Sequence, residues 1–190
     1  MLDSNRLRRL EQMPLWDFAL SFYSAPDVEG ACLTLQDTLG IDVCELLFHG
    51  WLFVHGLEAL SVPLAKQRKE REIWQREVTQ VLRHLRRHLK PEAQQSASID
   101  TLRKTIQQAE LQAERENLQR WQTWAIENPD DEVRLTNCAL ISNDVERWLQ
   151  DRLFFAELDK SCLHASGARE DISSAWQTLA SRLDRFESPR

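Results

Sequence analysis

The sequence predicts an all-α protein, an irregular multi-helix bundle of about seven or eight helices that includes a long antiparallel helical hairpin. The 190 residues are rich in strong helix formers and contain only five glycines and six prolines, a composition that favours helix. Apolar residues recur at helical spacing along most of the chain, and no stretch shows the alternation expected of a strand. Apolar content of 42% and charged content of 28% are typical of a globular protein.

Two helices are predicted before the most apolar part of the chain. Pro14 begins the first, because a proline in the first helical turn lacks only an N–H that would have no partner there. Its apolar face extends to Phe22, and the break at residues 24–27 ends it. The second helix is expected to begin at Val28 and to end at Gly40, since glycine is the usual C-terminal cap.

The stretch DVCELLFHGWLFVHG, residues 42–56, predicts a helix that is buried on every side. Asp42 and Glu45 form a capping-box-like pair at its start. The apolar residues that follow cover nearly the whole circumference of the helix, which indicates a core position. Gly50 in the helix interior predicts that another helix crosses closely there. A membrane span needs roughly 20 residues, so this shorter run predicts no membrane helix.

Two long helices, 64–90 and 100–125, are expected to pair as the antiparallel hairpin. Pro63 begins the first of these helices, and Pro91 is expected to stop it. The inward-facing stripe of the first helix is predicted from the helical spacing of its apolar residues. These residues are Trp74, Val78, Val81, Leu82, Leu85 and Leu89.

The chain is predicted to divide into a helical core domain, residues 1–126, and a C-terminal helical extension packed on it, residues 127–190. The run Asn128-Pro-Asp-Asp131 marks this boundary, because such residues favour turns. Three further helices are predicted after it, near residues 132–141, 144–158 and 170–186.

Charge is distributed unevenly along the chain, although the net formal charge is −6. Residues 61–90 carry nine Lys/Arg and three Asp/Glu, whereas both flanking regions are acidic. We therefore expect the basic helix, especially residues 76–90, to bind a protein partner, and the same helix is consistent with binding of nucleic-acid phosphates. The expected interaction residues, all predicted to point outward, are Arg76, Arg83, Arg86, Arg87 and Lys90.

Motifs for catalysis or phosphate binding are absent from the sequence, which contains no GxxxxGK[ST], GxGxxG or GxSxG. We therefore predict a non-enzymatic interaction or regulatory protein, with no catalytic residue and no cofactor. A third alternative is a small-molecule or enzymatic site formed by polar and aromatic residues of the N-terminal helices. Its expected members are Trp16, Tyr23, Gln36, Asp37 and His49.

The histidines do not predict a metal site. His49 and His55 are six residues apart, so on one helix their rings point roughly 120° apart. His84 and His88 share a helix face, but the cations around them repel a divalent ion and no HExxH motif accompanies them.

The cysteines and the N-terminus predict a cytoplasmic protein. Cys32, Cys44, Cys138 and Cys162 have no CxxC spacing, and scattered thiols in a chain of this size are typical of a reducing compartment. The N-terminal residues lack the apolar segment of a targeting signal. Seven tryptophans in a helical protein are also consistent with self-association, so the oligomeric state stays open.

A long motif in the first two helices has the pattern W-x-F-x-x-x-x-Y-x-x-P-x-V-x-x-A-C-L-x-L-Q-D. Its positions are Trp16, Phe18, Tyr23, Pro26, Val28, Ala31, Cys32, Leu33, Leu35, Gln36 and Asp37, followed by Asp42 and Val43. With these residues the chain resembles an uncharacterised family of small helical proteobacterial proteins, over residues 14–121. The resemblance implies a bacterial, cytoplasmic helical protein and brings no established activity.

Overall fold

Helices account for most of the described chain, which confirms the predicted all-α fold class. The structure, a computed structural model, describes residues 4–127, 133–138, 144–153 and 166–186. Within these ranges, no helix is both long enough and apolar enough to cross a membrane.

The elements follow one another along the chain with short connections. The N-terminal helices are α1 (Ser4–Gln12), α2 (Leu15–Tyr23), α3 (Val28–Leu39) and α4 (Val43–Val54). Strand β1 (Leu57–Ala59) precedes the first arm of the hairpin, which comprises α5 (Ser61–Trp74), a π-helical turn (Gln75–Thr79) and α6 (Gln80–His88). The short α7 (Lys90–Ala93) forms the tip, and α8 (Ala97–Ile126) is the second arm. Strand β2 (Leu135–Asn137), α9 (Val145–Leu153) and α10 (Ser166–Asp184) complete the described elements.

The helix ends in the N-terminal part are those that the sequence predicts. Gly40 caps α3 in the left-handed region, with φ of 68°. The carboxylate of Asp42 accepts hydrogen bonds from the backbone N–H groups of Cys44 at 2.8 Å and Glu45 at 3.4 Å. These bonds satisfy two N–H groups that have no partner within the first turn of α4. Helix α1 has no counterpart among the predicted helices.

A small antiparallel sheet is the main departure from the prediction. Residues 135–137, expected to be helical, form β2 and pair with β1, so that Leu57 faces Asn137 and Ala59 faces Leu135. The expectation of a chain without strands is therefore wrong. Each strand has three residues, and so short a segment is not distinguished from its surroundings by a period-two pattern.

Pro91 does not act as the predicted stop, because it lies inside α7, near its first residue. A proline is tolerated in a first helical turn, where its missing N–H has no helical partner to lose. The predicted boundary at residues 128–131 lies outside the described residues, as do Cys162 and the end of the predicted helix 144–158.

Helix α4 lies at the centre of the hydrophobic core, as the sequence predicts. Its residues Cys44 to Leu52 are all buried. Phe48 stacks on Trp121 of α8, with 4.6 Å between the ring centroids. Trp51 donates its indole N–H to the carbonyl oxygen of Met13 at 2.7 Å. The core thus joins α4 to the hairpin and to the chain between α1 and α2.

Gly50 lies where two other helices approach α4 closely, which confirms the predicted crossing. A Cβ atom at this position would lie 3.0 Å from Cδ2 of Leu183 in α10 and 3.3 Å from Cζ of Phe18 in α2. Helix α10 also packs along α3 and adds Trp176 to the core. The described part of the C-terminal segment therefore shares one core with the N-terminal helices, while the division at residue 126 stays a prediction.

The antiparallel hairpin is confirmed, since α6 packs along α8 in the opposite direction. Near the base of the hairpin, Trp74 donates its indole N–H to the carbonyl oxygen of Ala113 at 3.1 Å. The guanidinium of Arg120 lies over the Trp74 ring, 4.0 Å from its centroid. These contacts attach the first arm to the second where the hairpin leaves the core.

Two glycine-to-alanine substitutions test the close approach at Gly50. Gly30→Ala in α3, where a Cβ would meet no atom within 4 Å, should raise the free energy of unfolding by about 0.5–1 kcal/mol through helix propensity. Gly50→Ala should instead lower it by about 1 kcal/mol, because overpacking against Phe18 exceeds that gain. Urea denaturation measures both. Equal stabilisation by the two substitutions would contradict the packing described for Gly50.

Candidate functional site

The two arms of the hairpin face each other through polar and charged side chains rather than through the predicted apolar stripe. Val81 and Leu85 are exposed, whereas Gln75 and Thr79 are buried. The prediction that the whole apolar stripe points inward is therefore wrong for Val81 and Leu85. The other members, Trp74, Val78, Leu82 and Leu89, are half-buried.

Four charged side chains between α6 and α8 account for this arrangement. Glu110 accepts a hydrogen bond from Nε of Arg83 at 2.9 Å and is also ion-paired with Arg86. Glu114 accepts from Nη2 of Arg83 at 2.6 Å. Although burial opposes it, hydrogen bonds from both arginines hold the pKa of Glu110 below its ordinary value. Burial holds the pKa of Glu114 above its ordinary value in spite of Arg83.

The five predicted interaction residues consequently do not share one outward face. The side chains of Arg83 and Arg86 are only 18% and 22% exposed and point towards α8, so the prediction that they point outward is wrong. Arg76 and Arg87 are largely exposed, and Lys90 is exposed at the tip. Only part of the predicted cationic surface is therefore available to a partner.

A seam of buried polar side chains continues from these ion pairs towards the base of the hairpin. Its members in the first arm recur every four residues, and an α-helix drifts by about 40° over that interval. The π-helical turn at Gln75–Thr79 offsets this drift, because its hydrogen bonds span five residues instead of four. The seam consists of Gln67, Arg71, Gln75 and Thr79, with Asn117 of α8 opposite.

Several atoms of this seam are unpaired. Oε1 of Gln75, Oγ1 of Thr79 and both amide atoms of Asn117 are buried without a hydrogen-bond partner in the described part of the chain. Buried polar groups are paired in the great majority of cases, so each exception calls for an explanation. Gln75 is distinctive among the three because it also lines a groove.

The groove, with a volume of about 850 Å³, lies between the hairpin and the N-terminal helices α2 and α3. Along α8 its lining extends from Lys104 to Leu118, a distance of about 21 Å at 1.5 Å per residue. Exposed Leu20, Leu33 and Leu111 contribute apolar surface to it. It is long enough for a chain-like ligand or several small groups.

Three of the five predicted pocket residues line this groove, namely Trp16, Tyr23 and Gln36. Asp37 lies beside it and forms an ion pair with Arg87, Oδ1 to Nη2 3.6 Å. His49 is fully buried in the core and is not part of the lining. The structure thus separates His49 from the residues with which the sequence analysis grouped it.

Acidic and thiol groups form the floor of the groove where α4 begins. Burial, together with the neighbouring carboxylate of Glu45, raises the pKa of Asp42 to about 6. Burial also raises the pKa of the Cys44 thiol well above its ordinary value, so Cys44 is not an activated nucleophile. Burial raises the pKa of Tyr23 on the adjacent wall in the same way.

The wall that α8 contributes was missed by sequence reasoning. Its residues include Gln107, Leu111 and the glutamates that hold the arginines of α6. A signal for the ion pairs was present, since Glu110 and Glu114 are four residues apart and therefore lie on one face of a helix. The register of the hairpin, which brings them opposite Arg83, was needed to recognise it.

A second polar cluster lies in the core, away from the groove. Glu45 accepts a hydrogen bond from Nε of Arg68 at 2.8 Å, and Nε2 of His49 lies 3.5 Å from its Oε1. Arg68 also donates to the carbonyl oxygen of Arg152 at 3.1 Å, and Arg152 donates to Glu58 at 2.9 Å. The cluster links α4 and α5 to β1 and α9. Burial lowers the pKa of His49 in spite of the carboxylate beside it.

The remaining histidines are divided between the core and the surface. His55 is buried, and its Nδ1 lies 2.7 Å from the carbonyl oxygen of Trp51. The rings of His84 and His88 stack on the exposed side of α6, with centroids 6.4 Å apart. Among the residues that the structure describes, no three His, Cys, Asp or Glu side chains are grouped so that they could hold a metal ion.

Helices α2 to α8 coincide with the part of the chain that matches a known family. The sequence profile of the DUF2390 family, described as a protein of unknown function, matches residues 14–121. The chain belongs to the DUF2390 family. No curated protein and no solved structure matches it. The match confirms the predicted resemblance to an uncharacterised family, and the DUF2390 segment contains every residue that lines the groove.

Breaking the ion pairs of the hairpin should destabilise the protein. Arg83→Ala leaves buried Glu110 with one cation fewer, and we expect the free energy of unfolding to fall by about 2–4 kcal/mol. The matched control is Arg76→Ala, whose pair with Glu77 is exposed and should contribute less than about 0.5 kcal/mol. Chemical denaturation compares the two. Similar losses for both variants would show that the hairpin is not held in this way.

The buried His49 should make the protein less stable in mild acid. Its pKa is lowered in the folded state, so below the ordinary value of 6.5 the unfolded chain binds a proton that the folded chain does not. Stability should therefore fall with decreasing pH, by up to about 1.4 kcal/mol per pH unit from this group. His49→Leu should remove that contribution, and the difference in slope between the two proteins isolates it from His55 and Asp42. Parallel slopes between about pH 5 and pH 6.5 would contradict this reasoning.

Proposed function

We propose that the protein is a non-enzymatic interaction protein whose hairpin binds an acidic amphipathic helix of a protein partner. The binding surface, here called the outer face, consists of Val81 and Leu85 of α6 and Leu102 of α8. Their exposure of 56%, 43% and 50% is the observation that carries the proposal. Aliphatic side chains that recur at helical spacing and remain exposed are typical of a surface that a partner covers.

The outer face is turned away from the groove. At about 100° per residue, Leu85 points roughly 160° away from Arg83, which lines the groove. By the same geometry, Leu102 points roughly 180° away from Leu111, another lining residue. Val81 and Leu85 are four residues apart and therefore adjacent on α6. Two antiparallel helices with apolar residues on one side offer the seam into which a third helix packs.

Charge around the outer face determines the kind of helix that would fit. The hairpin tip, residues 80–108, contains six Lys/Arg and two Asp/Glu. Glu110 and Glu114 neutralise Arg83 and Arg86, which leaves four cations and two histidines in the tip. An apolar seam with a cationic surround is complementary to a helix with an apolar stripe and acidic flanks.

Nucleic-acid binding through the same helix is the alternative. It is less favoured because Arg83 and Arg86 already pair with carboxylates, whereas phosphate binding depends on available cations. Exposed valine and leucine side chains also add nothing to phosphate contacts. The protein-partner proposal uses both the apolar and the cationic features of the hairpin.

We place this interaction in the bacterial cytoplasm, as the sequence analysis expects. The described cysteines Cys32, Cys44 and Cys138 are free thiols, which suits a reducing compartment. A regulatory or adaptor role would follow from binding without chemistry.

Photo-crosslinking tests the outer face directly. A benzophenone amino acid replaces Leu85 or Leu102, with Val62 of α5 as the control because it is 84% exposed and lies outside the hairpin tip. After irradiation in nuclease-treated lysate of the source organism, positions 85 and 102 should capture the same protein, and position 62 should not. The captured segment, mapped by mass spectrometry, should be an acidic amphipathic helix. Crosslinks between two copies of this chain, nuclease-sensitive products or no specific product would overturn the proposal.

Substitutions at the outer face should separate partner binding from folding. Leu85→Glu should weaken binding of the captured segment at least about tenfold, since it places a like charge opposite the acidic helix. Arg87→Glu should weaken binding mainly at low salt, because an exposed charge acts through a screened field. Val62→Glu is the control and should leave affinity and stability unchanged. Binding that tolerates Leu85→Glu would rule out the outer face as the docking surface.

A further inference from the structure

Gln75 is the first of three observations about the groove that the hairpin proposal leaves unused. This side chain lines the groove, is only 9% exposed, and its Oε1 has no hydrogen-bond partner among the described residues. A carboxamide oxygen can only accept hydrogen bonds, so the missing partner must be a donor. The groove therefore lacks an N–H or O–H group at this position.

The charge balance of the groove floor is the second observation. The buried or half-buried groups comprise three carboxylates, from Asp42, Glu110 and Glu114, but only two guanidinium groups, from Arg83 and Arg86. With all of them ionised, the floor carries one uncompensated negative charge. A buried charge without a partner is unfavourable, so a monocation would complete the arrangement.

The other charges of the lining do not supply that cation. Arg87 is paired with Asp37, and Nζ of Lys104 lies 2.7 Å from Asp100. Both cations are exposed, near the tip end of the groove. Glu29 on the rim adds a further negative charge.

Aromatic and apolar side chains beside the floor are the third observation. Trp16 and Tyr23 form one wall, and Leu47 and Leu118 lie at the same end. Aromatic faces attract cations, and Trp16 already has the guanidinium of Arg115 over its ring, 5.2 Å from the centroid. A ligand there would have an apolar body as well as a positive charge.

We propose that the groove binds an organic cation, an alkylammonium or alkylguanidinium group, which donates to Gln75 and neutralises the carboxylates of Asp42 and Glu114. Its apolar chain lies against Trp16, Tyr23 and the leucines. The same chemistry is found in a free amine and in a lysine or arginine side chain of another protein. This site is on the opposite side of the hairpin from the outer face, so the two proposals stand independently.

Calorimetric titration with pentylammonium tests the proposal, with pentan-1-ol as the neutral control of equal length. The cation should bind and the alcohol should not. Glu114→Gln removes one negative charge, and Gln75→Met removes the acceptor while keeping the side-chain length. Each should weaken binding at least about tenfold. The matched control is Glu116→Gln, which makes the same change at an exposed pair with Arg120 outside the groove and should leave affinity unchanged.

The pH dependence gives a second readout that a merely structural role would not produce. Asp42, with a pKa of about 6, is faced by Glu45 of its own helix and by Glu114 of α8. A bound cation favours its ionised form, so affinity should rise between about pH 5 and pH 7 and binding should release protons. Glu114→Gln and Gln75→Met are first shown by circular dichroism to be folded.

A lysine-containing hexapeptide distinguishes the two sources of the cation. Binding at least about tenfold tighter than that of pentylammonium indicates a protein side chain, and equal or weaker binding indicates a free amine. Either result supports the site. The proposal is overturned if neither cation binds at millimolar concentration, if the alcohol binds equally well, or if folded Glu114→Gln and Gln75→Met variants bind with unchanged affinity.

Discussion

The ion pairs between the two arms of the hairpin set the rotation of the first arm, and both candidate surfaces depend on that rotation. Turning Val81 and Leu85 inward would stabilise the protein by about 1–2 kcal/mol each, since they are already half-buried. It would also leave Glu110, which is 5% exposed, without its arginines, at a cost of about 3–5 kcal/mol. The charged contacts therefore prevail, and the aliphatic residues remain at the surface.

The molecule combines two regions that are stabilised in different ways. Around α4 the packing is apolar and close, with Phe48 stacked on Trp121 and no room for a Cβ at Gly50. In the hairpin tip, α6 has no buried residue and is held by ion pairs and half-buried leucines. A region with few buried apolar contacts has low local stability, which suits a segment that adapts to a partner. The core thus serves as the scaffold from which the hairpin extends.

Much of the fold could be predicted from the sequence because the signals were local. The cap at Asp42, the glycine at position 40 and the all-round apolar surface of α4 each specify structure within a few residues. The strand β2 was missed because three residues carry no period. The rotation of the hairpin was missed for a different reason, since helical spacing identifies an apolar stripe but not the contacts that compete to bury another face. Glu110 wins that competition only through its partner on the other arm.

Hydroxyl-radical footprinting of the dilute protein tests the rotation of the hairpin most directly, because leucine oxidation reports side-chain exposure. The account predicts that Leu85 and Leu102 are oxidised at rates similar to that of exposed Leu111, while Leu64 and Leu118, both buried, are protected. Protection of Leu85 to the level of Leu118 would contradict it. That result would mean that the apolar stripe packs against α8, as the sequence pattern alone suggests, and that the outer face does not exist.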